Sequence, residues 1–165
     1  CTLKPFCPHA YNGNRTAIDM TSSFSAVSSQ LPDDPKLQAL LSQFAAAECC
    51  WFSSVRSDGR VHMAPIWHIW HAGQIFVVTQ SKSVRARNIV HNPSVSAALP
   101  DPLNPVIVEG QAFFAPDAKA ALQPLFLAKY NWDIVTDHDY DTVIAVTPHK
   151  IMAWGSHGDQ RWNLR

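Results

Sequence analysis

Between residues 50 and 80 the chain must reverse direction twice, and neither reversal leaves room for a helix. Residues 50–57 (CWFSSVRS) read as a strand. Asp58-Gly59 follows, a two-residue hairpin signal because both turn positions require positive φ. Residues 60–70 (RVHMAPIWHIW) read as a second strand. Pro65 lies inside it and has no N–H for a ladder, which puts this strand at a sheet edge or at a bulge. His71-Ala72-Gly73 turns the chain again, and residues 74–80 (QIFVVTQ) form a third strand. Turns this tight join antiparallel neighbours, since a parallel pair needs a crossover of about a dozen residues or more.

The rest of the chain extends this pattern. Leu37, Leu40, Leu41 and Phe44 recur at helical spacing over residues 35–48, with Pro35 in the first turn and Asp33 or Asp34 as cap. Residues 83–92 read as a short helix capped by Ser81 or Ser83 and closed by Pro93. Strands are expected at 94–100 and at 106–115, the latter interrupted at Gly110. Residues 117–130 read as a helix with Asp117 near its cap and a kink at Pro124. After a loop carrying Asp133, Asp137, Asp139 and Asp141, residues 142–147 and 149–155 read as two last strands. Six or seven mostly antiparallel strands with two or three helices predict a mainly β, α+β fold: a split β-barrel with peripheral helices, since closure removes the edges of strands this apolar. At 165 residues one domain is expected. Residues 1–34, rich in Ser, Thr, Asn and Pro and without period, read as a flexible N-terminal tail, and residues 35–165 as the folded domain. The first residue is Cys1, not Met, so an upstream segment is expected, with Met20 as an alternative start and a lipid-modified Cys1 as another.

Composition narrows the function classes. Thirteen basic and thirteen acidic residues balance, which argues against a nucleic-acid partner. No apolar run approaches the roughly 18 residues that span a bilayer, so no membrane partner is expected. Cys1, Cys7, Cys49 and Cys50 match no zinc spacing, and adjacent Cys49 and Cys50 are poorly placed to bridge, which points to a reducing, cytoplasmic compartment. His62, His68 and His71 lie near one another but lack a carboxylate or Cys at a ligand spacing, so no metal is expected. The acidic loop has no glycine at the calcium-loop position, and Gly155-Ser156-His157-Gly158 lacks the strand–Ser–helix context of a nucleophile elbow.

The most informative stretch runs from Thr79 to Asn88. A strand ends, hydroxyls follow, and a helix begins beside Lys82, Arg85 and Arg87. A helix N-terminus offers free N–H groups and partial positive charge, hydroxyls add donors, and arginine adds a planar fork, which together suit a phosphate. Counting about 100° per residue from Arg85, the apolar Ile89, Ala86 and Val90 fall between about 40° and 140°, Arg87 at about 200° and Asn88 at about 300°. Arg85 borders the apolar face and Asn88 flanks it, whereas Arg87 points away. A capped surface helix with solvated charges is the competing reading. In a second stretch, Ala64, Pro65, Ile66, Trp67 and His68, the proline leaves backbone groups that no neighbouring strand uses, able to pair with the rim of a flat heterocycle. Trp67 and Trp70 offer stacking surface, with a core role as the alternative.

An ordered set of elements resembles the pyridoxamine-phosphate-oxidase-like, FMN-binding split-barrel superfamily. It comprises Val55-Arg56-Ser57-Asp58-Gly59-Arg60, Pro65-Ile66-Trp67, Thr79, Ser83 to Ile89, Asn92-Pro93, Val108-Glu109-Gly110-Gln111-Ala112, then Ala153-Trp154-Gly155 and Arg161-Trp162. The resemblance covers residues 36–165 and implies a homodimer with the cofactor at the subunit interface, acting on a small-molecule substrate. It implies FMN with its phosphate among Thr79, Lys82, Ser83, Val84 and Arg85, assisted by Asn88. Residues Ala64 to His68 would lie along the isoalloxazine edge, with Arg161 and Trp162 approaching the flavin. Arg85 stands where family members often carry Lys. The arginine and glutamine typical of true pyridoxamine-phosphate oxidases are missing near Ala64 and Pro105, which argues against vitamin B6 oxidation. Related branches hold a deazaflavin or haem in the same barrel. No general acid or base stands out, so a flavin-dependent oxidoreductase and a non-catalytic flavin or tetrapyrrole carrier or sensor are both open.

Overall fold

The computed structural model describes residues 31–164, and the expectations for residues 1–30, including Cys1, Cys7 and Met20, lie outside the described residues. The elements follow in the order α1 (Pro35–Ala46), β1 (Cys49–Val55), β2 (Val61–Trp67), β3 (Ile69–His71), β4 (Gln74–Thr79), α2 (Val84–His91), β5 (Ser94–Ala98), β6 (Val106–Phe114), α3 (Lys119–Tyr130), β7 (Thr142–Ala153) and β8 (Gln160–Asn163). The strands form one antiparallel sheet in the order β2-β1-β5-β6-β7-β4-β3, curled into an α+β split barrel. Strand β7 is its spine, with β6 along one edge and β4, then β8, along the other.

Strand alternation builds two cores at once. Ile75 and Val77 of β4 and Ile144, Val146 and Ile151 of β7 fill the barrel interior with Leu37, Leu40, Leu41 and Phe44 of α1. Their alternate neighbours Phe76, Val78, Val143 and Ala145 pack outward against Leu122 and Phe126 of α3. That double burial explains why β4 reads as an unbroken apolar run. Asp34 caps α1, accepting from the Lys36 N–H at 2.9 Å, and its other oxygen accepts from Trp162 Nε1 at 2.8 Å.

Pro65 lies in β2, an edge strand, as its missing N–H requires. The predicted second strand breaks at His68 into β2 and β3, which end up on opposite edges of the sheet. Tyr130 and Lys129 of α3 hold the break. The Tyr130 hydroxyl accepts from the His68 N–H at 2.9 Å, and Lys129 Nζ donates to the His68 and Ala45 carbonyls at 3.0 and 2.8 Å. The two strands expected at 142–147 and 149–155 are one. Pro148 is accommodated because the register shifts opposite it, between Glu109 and Gly110. A Cβ on Gly110 would lie 2.6 Å from the Thr147 carbonyl oxygen, so the bulge needs glycine for close approach. Asp117 does not cap α3: it lies in a 3-10 turn over Pro116–Ala118 that precedes the helix. Strand β8 is an element the periodicity did not predict.

His68 has no exposed surface, and its Nε2–H donates to the Phe44 carbonyl at 2.8 Å. Burial, with the Lys129 charge second, pulls its pKa from 6.5 down to about 4. The unfolded chain therefore binds this proton first as pH falls. The stability it provides is complete above pH 6.5 and is lost on the way down to pH 4. The loss amounts to about 3 kcal/mol. We expect the urea midpoint to drop across this window, and His68→Gln to flatten the drop. Identical slopes in the two proteins would refute the assignment.

Candidate functional site

The site is assembled where β4 runs into α2. Ser83, in extended conformation, caps α2, and its Oγ accepts from the Ala86 N–H at 3.2 Å. Thr79, the last residue of β4, donates from Oγ1 to Ser83 Oγ at 3.2 Å, and Arg85 Nη1 donates to Thr79 Oγ1 at 3.0 Å. Asn88, one turn along, is buried and donates from Nδ2 to Ser54 Oγ of β1 at 2.9 Å. That bond fixes the rotation of α2 and points Arg85 inward. The helix face differs from the periodic reading in one residue: Val90 is 67% exposed, while Ala86, Asn88 and Ile89 are buried. The polar Asn88–Ser54 bond, not an apolar contact at Val90, completes the packed face.

Arg85 is half-buried, and burial disfavours its charge. Among the described residues no carboxylate lies within 4.0 Å of it, since the ion pairs there are Arg60–Asp58 and Lys150–Glu109. A guanidinium carries five N–H donors, and a half-buried cation served by a hydroxyl in place of a carboxylate is suited to an external anion. Lys82 and Arg87 are exposed, and Arg87 folds back to donate to the Lys82 carbonyl. Asp141 closes the outer side of the loop, accepting from Ser81 N–H and Oγ at 2.7 Å each.

Two further residues face this cluster. In the β1–β2 register Ser54 pairs with His62, so both side chains project from the same face. His62 Nδ1 is shielded from solvent and has no hydrogen-bond partner among the described residues. Burial, then the charges of Arg85 and Arg56, hold its pKa below 6.5. The orphaned nitrogen and the carboxylate-free guanidinium both fit the phosphate of a flavin mononucleotide. The sequence placed His62 only among metal candidates and did not single out Ser54. Only the strand register of the folded sheet, which residue types alone leave open, brings the two opposite each other.

The remaining expected site residues are dispersed. Ala64 shares the inner face of β2 with His62, Ile66 is buried in the barrel core, and Pro65 pairs with Trp51 on the outer face. Trp67 stacks on Tyr130 at 4.6 Å and meets Trp132 edge-on at 5.8 Å, so its ring belongs to the aromatic cluster against α3. The His68 ring is sealed in the core, and its backbone N–H is held by Tyr130. Arg161 and Trp162 lie on β8, where Arg161 pairs with Met152 near the far end of β7, while Thr79 pairs with Thr142 at its start. At about 3.3 Å per residue these ends are on the order of 30 Å apart, so one chain does not bring Arg161 to Arg85. Among the described residues no group of three His, Cys, Asp or Glu is placed to hold a metal, and no helix is long and apolar enough to cross a membrane.

Comparison with known proteins gives this geometry its context. No curated protein matches the chain. Among solved structures, general stress protein 26 from Bacillus anthracis str. Sterne superposes with a TM-score of 0.62 at 22% identity, over 78% of this chain and 98% of that one. A heme binding protein from Mycobacterium smegmatis gives 0.67 at 15% identity, over 81% of this chain and 60% of that one. An F420 reductase gives 0.55 at 22% identity, over 64% and 90%. At these identities the likeness concerns the fold. The family model described as pyridoxamine 5'-phosphate oxidase matches residues 33–155, which include the whole of the β4–α2 cluster. With this family model matching most of the chain, together with the ordered motifs and the split barrel, the chain belongs to the pyridoxamine 5'-phosphate oxidase family.

Proposed function

We propose that the protein binds FMN and acts as a small flavin-dependent oxidoreductase. The observation that carries this reading is Arg85: a half-buried guanidinium beside a helix N-terminus, held by Thr79 and without a carboxylate partner among the described residues. In this reading Arg85, Ser83, Thr79 and the backbone of Val84 hold the phosphate, Asn88 fixes the helix, and Lys82 adds long-range positive charge. The β2 edge from Ala64 to Trp67 lines the ring, whereas the His68 N–H, taken by Tyr130, does not. Bound FMN supplies the hydride acceptor or donor, and the chain's residues hold and orient it.

A second copy completes the site. Arg161 and Trp162 lie too far from Arg85 to serve the same flavin from the same chain. The outer face of β1 and β2 also exposes Trp51, Val61 and Met63, three large apolar side chains on adjacent strands that a homodimer would cover. We expect freshly purified protein to show the two-banded visible spectrum of oxidised flavin, bleached by a nicotinamide reductant and restored by substrate. Light scattering of the same sample should give the mass of a dimer. A haem or deazaflavin spectrum, or a fully flavin-loaded monomer, would overturn this reading. Bound flavin that never turns over would leave a carrier or sensor in place of an enzyme.

A further inference from the structure

We infer that His62 is a proton-coupled ligand of the flavin phosphate, taking up a proton as the phosphate arrives and donating Nδ1–H to it. The inference rests on the flavin reading above and adds to it a pH dependence of cofactor retention.

Ser54 and His62 face each other across the β1–β2 pair, and Ser54 is held by Asn88 of α2. His62 therefore projects toward the helix that carries Arg85. Its Nδ1 is shielded from water and has no partner among the described residues, an arrangement that costs free energy unless a ligand satisfies it. The charged groups acting on it are cations: Arg85 from α2 and Arg56 from the hairpin loop. Ser54, opposite it in the register, and Asn88, which holds Ser54, are neutral. In the free protein these cations disfavour protonation. A bound phosphate offsets the charge of these cations and accepts from the ring, so imidazolium is favoured over its state in the free protein and gains a charge-assisted hydrogen bond. By linkage, binding takes up a proton and affinity strengthens as pH falls toward the ordinary histidine range.

The test is calorimetric titration of the apoprotein with FMN, and separately with riboflavin, which lacks the phosphate, in buffers of different ionisation enthalpy between pH 5.5 and 8. Phosphate itself titrates near pH 6, so the comparison is between wild type and His62→Gln, in which the ligand's own titration is common. Wild type should take up more protons on binding FMN than His62→Gln does, and no more on binding riboflavin. At pH 6 His62→Gln should bind FMN about tenfold more weakly, the size of one hydrogen bond to a charged group, with the gap closing by pH 8. His62→Arg, charged throughout, should bind tightly at both pH values. Equal proton uptake and parallel pH profiles in wild type and His62→Gln overturn the inference and leave FMN binding standing. Failure of wild type to bind FMN removes both.

Discussion

Arg85→Ala should weaken FMN binding by about a hundredfold, the loss expected when a half-buried charge-assisted contact to phosphate is removed. Arg87→Ala should change it by less than about threefold, as for an exposed charge. The two arginines stand two positions apart on one short helix and carry the same charge, so any difference between them measures orientation. Asn88 sets that orientation through its bond to Ser54, which turns Arg85 toward Thr79 and leaves Arg87 in solvent against the Lys82 carbonyl. Two controls sharpen the result. Riboflavin affinity should be nearly unchanged in Arg85→Ala, because the proposed contact is to phosphate. The wild-type advantage should also survive moderate salt, since a half-buried pair is screened less than surface charge. Equal losses from the two substitutions would mean that both arginines act as diffuse charge, and the assignment of the site to the inner face of α2 would fall.

Gly155→Ala is expected to be the most destabilising of the glycine substitutions in turns, at about 3–4 kcal/mol and roughly 10 °C in Tm. Gly155 has φ +74°, a left-handed conformation in which an alanine costs about 1–2 kcal/mol. Its Cβ would also lie 1.9 Å from the Leu103 carbonyl oxygen, and that backbone belongs to a turn tied together by Asp101 and Asn104. Asn104 Oδ1 in turn accepts from the Ser156 N–H at 2.9 Å, so neither side can retreat without losing hydrogen bonds. Gly59 is the matched control, because its φ of +83° is similar but none of the described residues beyond its chain neighbours lies within 4 Å of its missing Cβ. Gly59→Ala should therefore cost only the conformational part. Thermal melts of the two variants separate strain from collision, and equal shifts in Tm would show that the contact between the 101–104 and 155–158 turns adds nothing.

The hairpin between β1 and β2 shows where reading from residue types stops. Asp58-Gly59 marks a reversal at the right place, and a two-residue loop would pair Ser57 with Arg60 and Ser54 with Met63. The structure has three loop residues: Arg56 N–H donates to the Arg60 carbonyl, Gly59 N–H donates to the Arg56 carbonyl, and of Asp58 and Gly59 only Gly59 has positive φ. Ser54 then pairs with His62. One residue of slip exchanges the faces of a strand, and here it turns His62 inward and leaves Met63 59% exposed. Both loops suit the same dipeptide, so local preference does not choose between them. The choice belongs to the sheet as a whole: β1 must also pair with β5 while Phe52 fills the core.

Local chemistry determined most of the elements of this protein. Helical spacing and caps marked α1 and α2, the Pro65 edge strand and the Gly110 bulge followed from missing N–H and Cβ groups, and the hydroxyl-rich helix start marked the proposed anion site. These are properties of a residue and its near neighbours, and such neighbours exist in the chain before it folds. The tertiary structure alone decided that Val90 faces solvent, that His68 is sealed in the core and that His62 stands beside Arg85. It also decided that Arg161 lies at the opposite end of β7. Each of these depends on which surfaces close against one another across the barrel, and that contact energy is absent from any short window of sequence.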